Sequence, residues 1–190
     1  MRFYLVLLLA LPLIKVSAQQ KQFTTDDNGK FIYYEVVTPA TGKDSLMLRA
    51  NAFIDFYKKS IKKQAATDTS ITAKGITVID KTILVASHPS GEVSYHFVFE
   101  ARNKKYRFWL TDFEYIPYGR DRYGNYVATT NIATPLERTP GKLSAGEWKD
   151  ILESAYAKTA KFAENFKKAL AVNPTEKPKK KTETISTKKW

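Results

Sequence analysis

The stretch EVSYHFVFEARNKKYRFWLTDFEY, residues 92–115, limits how this chain can fold more than any other part of it. Apolar and polar residues alternate on both sides of Asn103-Lys104. A period of two is that of a strand with one buried face, and two such runs around a short polar pair read as a β-hairpin. Counting outward from the turn pairs Ala101 with Tyr106, Glu100 with Arg107, Phe99 with Phe108, Val98 with Trp109, Phe97 with Leu110 and His96 with Thr111. Phe97, Phe99, Phe108 and Leu110 then share one face, which must lie on a core. The other face carries Glu100 beside Arg107, Val98 beside Trp109, and His96 beside Thr111. Slipping the register by one residue would exchange the two sets, so the pattern specifies its own pairing.

A sheet with one oily face needs a cover, and two segments read as helices. Leu46, Ala50, Phe53, Tyr57 and Ile61 recur at helical spacing, with Asp44 or Ser45 placed to cap the start. Lys58, Lys59, Lys62 and Lys63 then suit the negative end of that helix dipole. Ser144 and Glu147 form a capping box ahead of a helix over 145–171, whose stripe is Trp148, Ile151, Leu152, Ala155, Thr159, Phe162, Phe166 and Leu170. KFIYYEVV reads as a first strand, and QAATDTSITAK as a polar loop. GITVIDKTILVASHPSG reads as two short strands around Asp80-Lys81-Thr82, ended by Pro89-Ser90-Gly91. Residues 116–143 hold no sustained period and are expected to form a long loop. The order β-α-β-β-β-β-α predicts a single α+β domain over 19–171, an antiparallel sheet with both helices on one face. Its opposite face is left open, bearing Trp109, Val98 and His96.

The ends of the chain differ from its middle. MRFYLVLLLALPLIKVSAQQ has a basic residue, an apolar run and a small-residue cleavage pattern, so residues 1–18 are expected to be a signal peptide, cleaved after Ala18. That expectation places the domain in the periplasm or outside the cell, with no transmembrane segment after cleavage. The tail 172–190 carries six lysines and little apolar mass, and is expected to be disordered. Much of the formal net charge of +12 therefore sits at the two ends, and what remains is within the needs of solubility. The absence of cysteine excludes disulfides, thiolate metal sites, cysteine nucleophiles and the lipid-modified cysteine of a lipoprotein.

The aromatic first strand FIYYEVV, the strand pair ITVIDKTILV and the late strand with Tyr106, Arg107, Phe108, Thr111, Asp112 and Phe113 carry a resemblance. From about Lys30 to Tyr115 the chain resembles a family of secreted domains of unknown function from Gram-negative bacteria with a TATA-binding-protein-like fold. The resemblance implies a curved antiparallel sheet with helices on one side. It brings no activity and no catalytic residues.

Two functional readings follow. The first is a non-enzymatic envelope domain that binds a protein partner or small ligand through the open face or the long loop, with His96, Val98, Arg107, Trp109, Thr111, Arg120 and Arg122 as the candidate surface. The second is an envelope hydrolase or glycan-active enzyme using Asp112, Glu114 or His96, which would need those groups to converge in a cleft. Nucleic acid is not expected, because the open face carries Glu100 and no row of lysines, and phosphate contacts dominate such binding. With only His88 and His96 in the chain, neither a metal site nor a cofactor is expected. Gly119 and Gly124 in GRDRYGNY read as turn glycines, and the lysine tail as capable of weak contact with an anionic surface.

Overall fold

A computed structural model describes residues 22–83, 86–138, 141, 143 and 145–171. Along the chain run β1 (Thr24–Thr25), β2 (Phe31–Val37), α1 (Lys43–Phe56), β3 (Ile61–Ala66), β4 (Ser70–Ile83), β5 (Ala86–Arg102), β6 (Lys105–Arg120), β7 (Tyr126–Ala128), β8 (Thr134–Pro135) and α2 (Ala145–Ala171). The expected signal peptide, the capping residue Ser144 and the lysine tail lie outside the described residues. The sheet order is β1-β2-β6-β5-β4-β3, with every pair antiparallel. Strands β3 to β6 form a meander, and β2 adds to the free side of β6. The chain therefore has to travel from one side of the sheet to the other between β2 and β3, and α1 makes that crossing.

The central hairpin has the register counted from the sequence, from Ala101 opposite Tyr106 to His96 opposite Thr111. Beyond His96 the register shifts, so that Ser94 faces Glu114 and Tyr95 faces both Asp112 and Phe113. Asp112 is the extra residue of this bulge, with φ of 53°, a left-handed conformation that aspartate tolerates better than most side chains. The extra residue resets the alternation. Tyr106, Phe108 and Leu110 face the core before it, and Phe113 and Tyr115 after it. A second bulge lies in the β4/β5 pair, where Ile79 faces Gly91 and Asp80 faces Pro89. Ser90 is the residue left over there, and the break in the ladder accommodates the missing amide of Pro89.

Several expected boundaries are corrected. Helix α1 ends at Phe56, not near Lys63, and Ile61 is buried as the first residue of β3. The spacing 53, 57, 61 is helical, but the Ser60 and Ile61 amides donate to the Tyr57 carbonyl and turn the chain back onto the sheet. The polar loop expected at QAATDTSITAK is instead the turn of the β3/β4 hairpin with the strand residues on both sides of it. Thr67 closes it, its Oγ1 accepting the Ser70 amide at 3.0 Å. Asp80-Lys81-Thr82 is not a turn but lies inside β4, and Pro89-Ser90-Gly91 lies inside β5. The main strands still follow the order β-α-β-β-β-β-α, through partly different segments: the strand expected at 76–79 is part of β4, the one expected at 83–87 spans residues 84 and 85, which lie outside the described residues, and β3 supplies the missing one. Residues 116–143 are not one structureless loop, because β6 runs on to Arg120 and β7 and β8 both pair with it.

Both helices cover the same sheet face. The Phe166 ring of α2 meets Phe53 of α1 and Phe97, Phe99 and Phe108 of the sheet edge-on, with centroids 5.2–5.4 Å apart. Such edge-to-face contacts are the favoured geometry for clustered rings. The α2 stripe is buried at Trp148, Ile151, Ala155, Thr159, Ala163, Phe166 and Leu170. Two lysines fix the helix across the sheet: Lys158 Nζ meets Asp80 of β4 at 2.7 Å, and Lys167 Nζ meets Glu35 of β2 at 2.6 Å. Arg49 of α1 is buried and donates to the Leu170 carbonyl at 2.5 Å, tying the last turn of α2 to α1. Among the described residues no helix is long and apolar enough to cross a membrane.

Candidate functional site

With both helices on one face, the other face of the sheet is left to solvent, and the pairing arranges its side chains in rows across the strands. Tyr34, Trp109, Val98 and Thr72 form one row, from β2 through β6 and β5 to β4. Val36, Arg107, Glu100 and Ser70 form the next, and Thr111, His96 and Lys74 lie on the other side. The first row is apolar over three strands. Tyr34 of this row is 48% exposed and Val36 of the next 43%, while Trp109 and Val98 are half-buried.

Trp109 is held in place from two sides. The Tyr34 ring lies 6.4 Å from it, and the Arg107 guanidinium sits 5.4 Å from its centroid. Arg107 is itself fixed by Glu100, whose Oε2 accepts from Nε and lies by Nη2, both at 2.7 Å. That hydrogen bond, with a lesser one to Tyr34, raises the guanidinium pKa further. A shallow hollow of about 160 Å³ opens beside this group, between Tyr34, Val36, Glu100, Arg102 and Lys105. The described strands of the segment after Ile116 pair away from Trp109. Its β8 pairs with Glu114 and Tyr115 and its β7 with Tyr118 to Arg120, further along β6.

The structure thus groups His96, Val98, Arg107, Trp109 and Thr111 on one face, and separates Arg120 and Arg122 from them. Arg120 lies nine residues beyond Thr111 along β6, roughly 30 Å at strand rise. Its guanidinium sits 5.3 Å over the Tyr126 ring, which also stacks on His88 at 5.2 Å. Arg122 packs over Tyr123 at 5.0 Å. The arginines of this turn serve its own rings.

Asp112 and Glu114 are engaged by different partners. Asp112 takes the Lys30 ammonium, and this contact is the main reason the Lys30 pKa is raised. Glu114 Oε2 is 3.4 Å from the Ser94 hydroxyl. His96 stands between Thr111 and Lys74 in its row. The bulge at Asp112 is what breaks the expected side-by-side placement of the two carboxylates.

One cavity was not foreseen. About 590 Å³ opens between the first turns of α2 and the far end of the sheet, with Asp80, Glu147, Asp150, His88, Tyr118 and Tyr126 in its wall. Burial and a 2.7 Å hydrogen bond to Glu92 push the Tyr118 phenol up to about 12. These residues come from five elements with no shared motif, so nothing in the sequence announces the cavity. Among the described residues no group of three or more His, Cys, Asp or Glu side chains is placed to hold a metal ion.

No curated protein matches the chain. Among solved structures it is similar to a TBP-like protein from Parabacteroides distasonis, at 13% identity and a TM-score of 0.57, over 76% of this chain and 95% of that one. It is also similar to a DUF4468 family protein from Bacteroides ovatus, at 10% identity and a TM-score of 0.56, over 81% of this chain and 93% of that one. At such identities the likeness speaks for the fold alone. The family model described as "Domain of unknown function (DUF4468) with TBP-like fold" matches residues 33–116, from β2 to the middle of β6. Over these residues, from Tyr33 to Ile116, the chain matches the DUF4468 family, a domain of unknown function with the TBP-like fold.

Proposed function

We propose that this protein is a non-enzymatic binding domain of the cell envelope, which takes another polypeptide through the outer face of its sheet. The observation that carries the reading is the row Tyr34, Trp109 and Val98, apolar across three strands on the outer face, with Tyr34 exposed and Trp109 and Val98 half-buried. Aromatic side chains on a rigid sheet, with arginine beside them, are the composition of a binding hot spot. The ion pair of Arg107 with Glu100 keeps the Trp109 ring in one orientation before any partner arrives, which lowers the entropy lost on binding. The apolar leader-like segment at the N-terminus supports the envelope location. The hydrolase reading lacks comparable support, since Asp112 and Glu114 already have neighbours of their own.

The double variant Trp109→Ala with Val98→Ser tests this. Both side chains lie outside the core, so its melting temperature is expected to stay close to that of the unchanged protein. Chemical cross-linking in the envelope fraction, read by mass spectrometry, is expected to lose at least one stoichiometric partner in the variant. An identical cross-linked set, together with an identical sedimentation profile, would sink the proposal.

A further inference from the structure

A second surface lies on the helical side, and its chemistry is different. Leu48, Ala52 and Phe56 follow one another at intervals of four along α1 and so share one line on that helix. The line does not face the sheet. Leu48 is 62% exposed and Phe56 79%, and Tyr57 continues the exposed apolar surface past the helix end. With Asn165, Lys168 and Ala169 of α2 these residues line a groove of about 490 Å³ between the helices.

Lysines surround this apolar line. Lys58 and Lys59 are exposed in the turn after α1, Lys63 follows on β3, and Lys168 stands on α2 at the rim of the groove. None of them lies within the last turn of α1, which stops at Phe56. Two carboxylates lie among them: Asp55, 3.3 Å from Lys63, and Glu164, between Lys161 at 3.4 Å and Lys168 at 2.6 Å. Lys58 and Lys59 remain in excess. Helix α2 ends at Ala171, two residues past the groove, and residues 172–190 that follow carry six more lysines.

We propose that this corner of the molecule docks on an anionic lipid surface, with Phe56 and Leu48 entering the headgroup region and Lys58 and Lys59 meeting the lipid phosphates. Apolar side chains supply the insertion and cations the attraction, the two components that interfacial binding combines. A second copy of the chain fits the groove poorly, because it would bring the same cations against these. A soluble acidic polymer would satisfy the lysines and leave the Phe56 ring in water.

The chain has no cysteine, so Leu48→Cys in the full-length protein gives a single attachment point for an environment-sensitive dye. Vesicles of phosphatidylcholine with phosphatidylglycerol are expected to blue-shift and brighten this dye, less so as salt is raised. Vesicles of phosphatidylcholine alone, and the same dye on Tyr34→Cys at the outer sheet face, are expected to give no change. In the labelled protein, Lys58→Gln with Lys59→Gln is expected to weaken partitioning by about fivefold per lysine, and Phe56→Ser to weaken it as well. The proposal is overturned by a silent dye at position 48, by an equal response at position 34 or with neutral vesicles, or by partitioning that ignores these substitutions. A response to soluble polyglutamate as large as that to anionic vesicles also overturns it, and assigns the patch to an acidic polymer.

Discussion

Four glycines show how single residues set this fold, for two separate reasons. Two hairpins, β1/β2 and β6/β7, close through the same turn. In each, an aspartate Oδ1 accepts two backbone amides at 2.8–2.9 Å, those of Asn28 and Lys30 onto Asp26 and those of Tyr123 and Asn125 onto Asp121. A glycine at positive φ follows, Gly29 at 75° and Gly124 at 85°. Backbone donors, foremost those of Lys30 and Asn125, hold both carboxyl pKa values below the usual aspartate value. By contrast Gly75 and Gly91 lie under tyrosine rings: a Cβ on Gly75 would stand 2.2 Å from the Tyr95 ring, and one on Gly91 2.3 Å from that of Tyr115. Gly124→Ala meets no atom within 4 Å, and is expected to cost about 1–2 kcal/mol for its left-handed backbone alone. Gly75→Ala must displace a buried ring, and is expected to cost about 1–3 kcal/mol by overpacking, with the near-ultraviolet tyrosine signal changed. Urea unfolding of both variants checks this, and an unaltered Gly75→Ala protein would contradict the packing. The role of Gly124 is readable in GRDRYGNY, whereas Gly119, which also reads as a turn glycine, lies within β6 where a Cβ would stand 2.7 Å from Thr129 Cγ2.

Among the elements, the central hairpin was legible because its two faces differ in chemistry at every step from Ala101 to His96. The bulge was not, since TDFEY keeps a plausible alternation when read either way. Asp112 is the residue that turns Phe113 and Tyr115 to the core, so deleting it would send both rings to the outer face. The deletion variant is expected to lose cooperative unfolding. Asp112→Asn keeps the residue count and a side chain that tolerates positive φ, and loses only a surface ion pair, so its melt is expected to stay close to that of the unchanged protein. Thermal melts separate the two outcomes, and a cooperative melt of the deletion variant would show that β6 can be threaded without its bulge. The end of α1 was hidden for a related reason. Tyr57 and Ile61 continue the helical spacing, and only the sheet position waiting for β3 decides that the chain leaves the helix after Phe56.

At the scale of the whole molecule, burial of phenols ties stability to alkaline pH. Burial, first among the causes, pushes Tyr106 and Tyr118 up to about 12, and raises Tyr33 and Tyr95 as well. A raised folded pKa means that the unfolded chain loses its proton first. The contribution of these groups is therefore fully present below pH about 10, where free tyrosine ionises, and is lost as pH rises through about 12. Melting temperature is expected to fall across that window, with tyrosinate absorbance from these rings appearing together with unfolding. Complete ionisation while the melting temperature holds would contradict this. The candidate surface was half visible beforehand: the hairpin alone put Trp109, Val98, His96, Arg107 and Thr111 together, but Tyr34 joins them only because β2 pairs with β6 across a long sequence separation. Sequence by itself determined the sheet, its central register, the face it buries and the amphipathic helix that covers it, because these follow from periodicity within short segments. Tertiary structure alone decided the bulges, the length of α1, the place of β3 and the groove beside Phe56, because each depends on which distant backbone or ring occupies the neighbouring space.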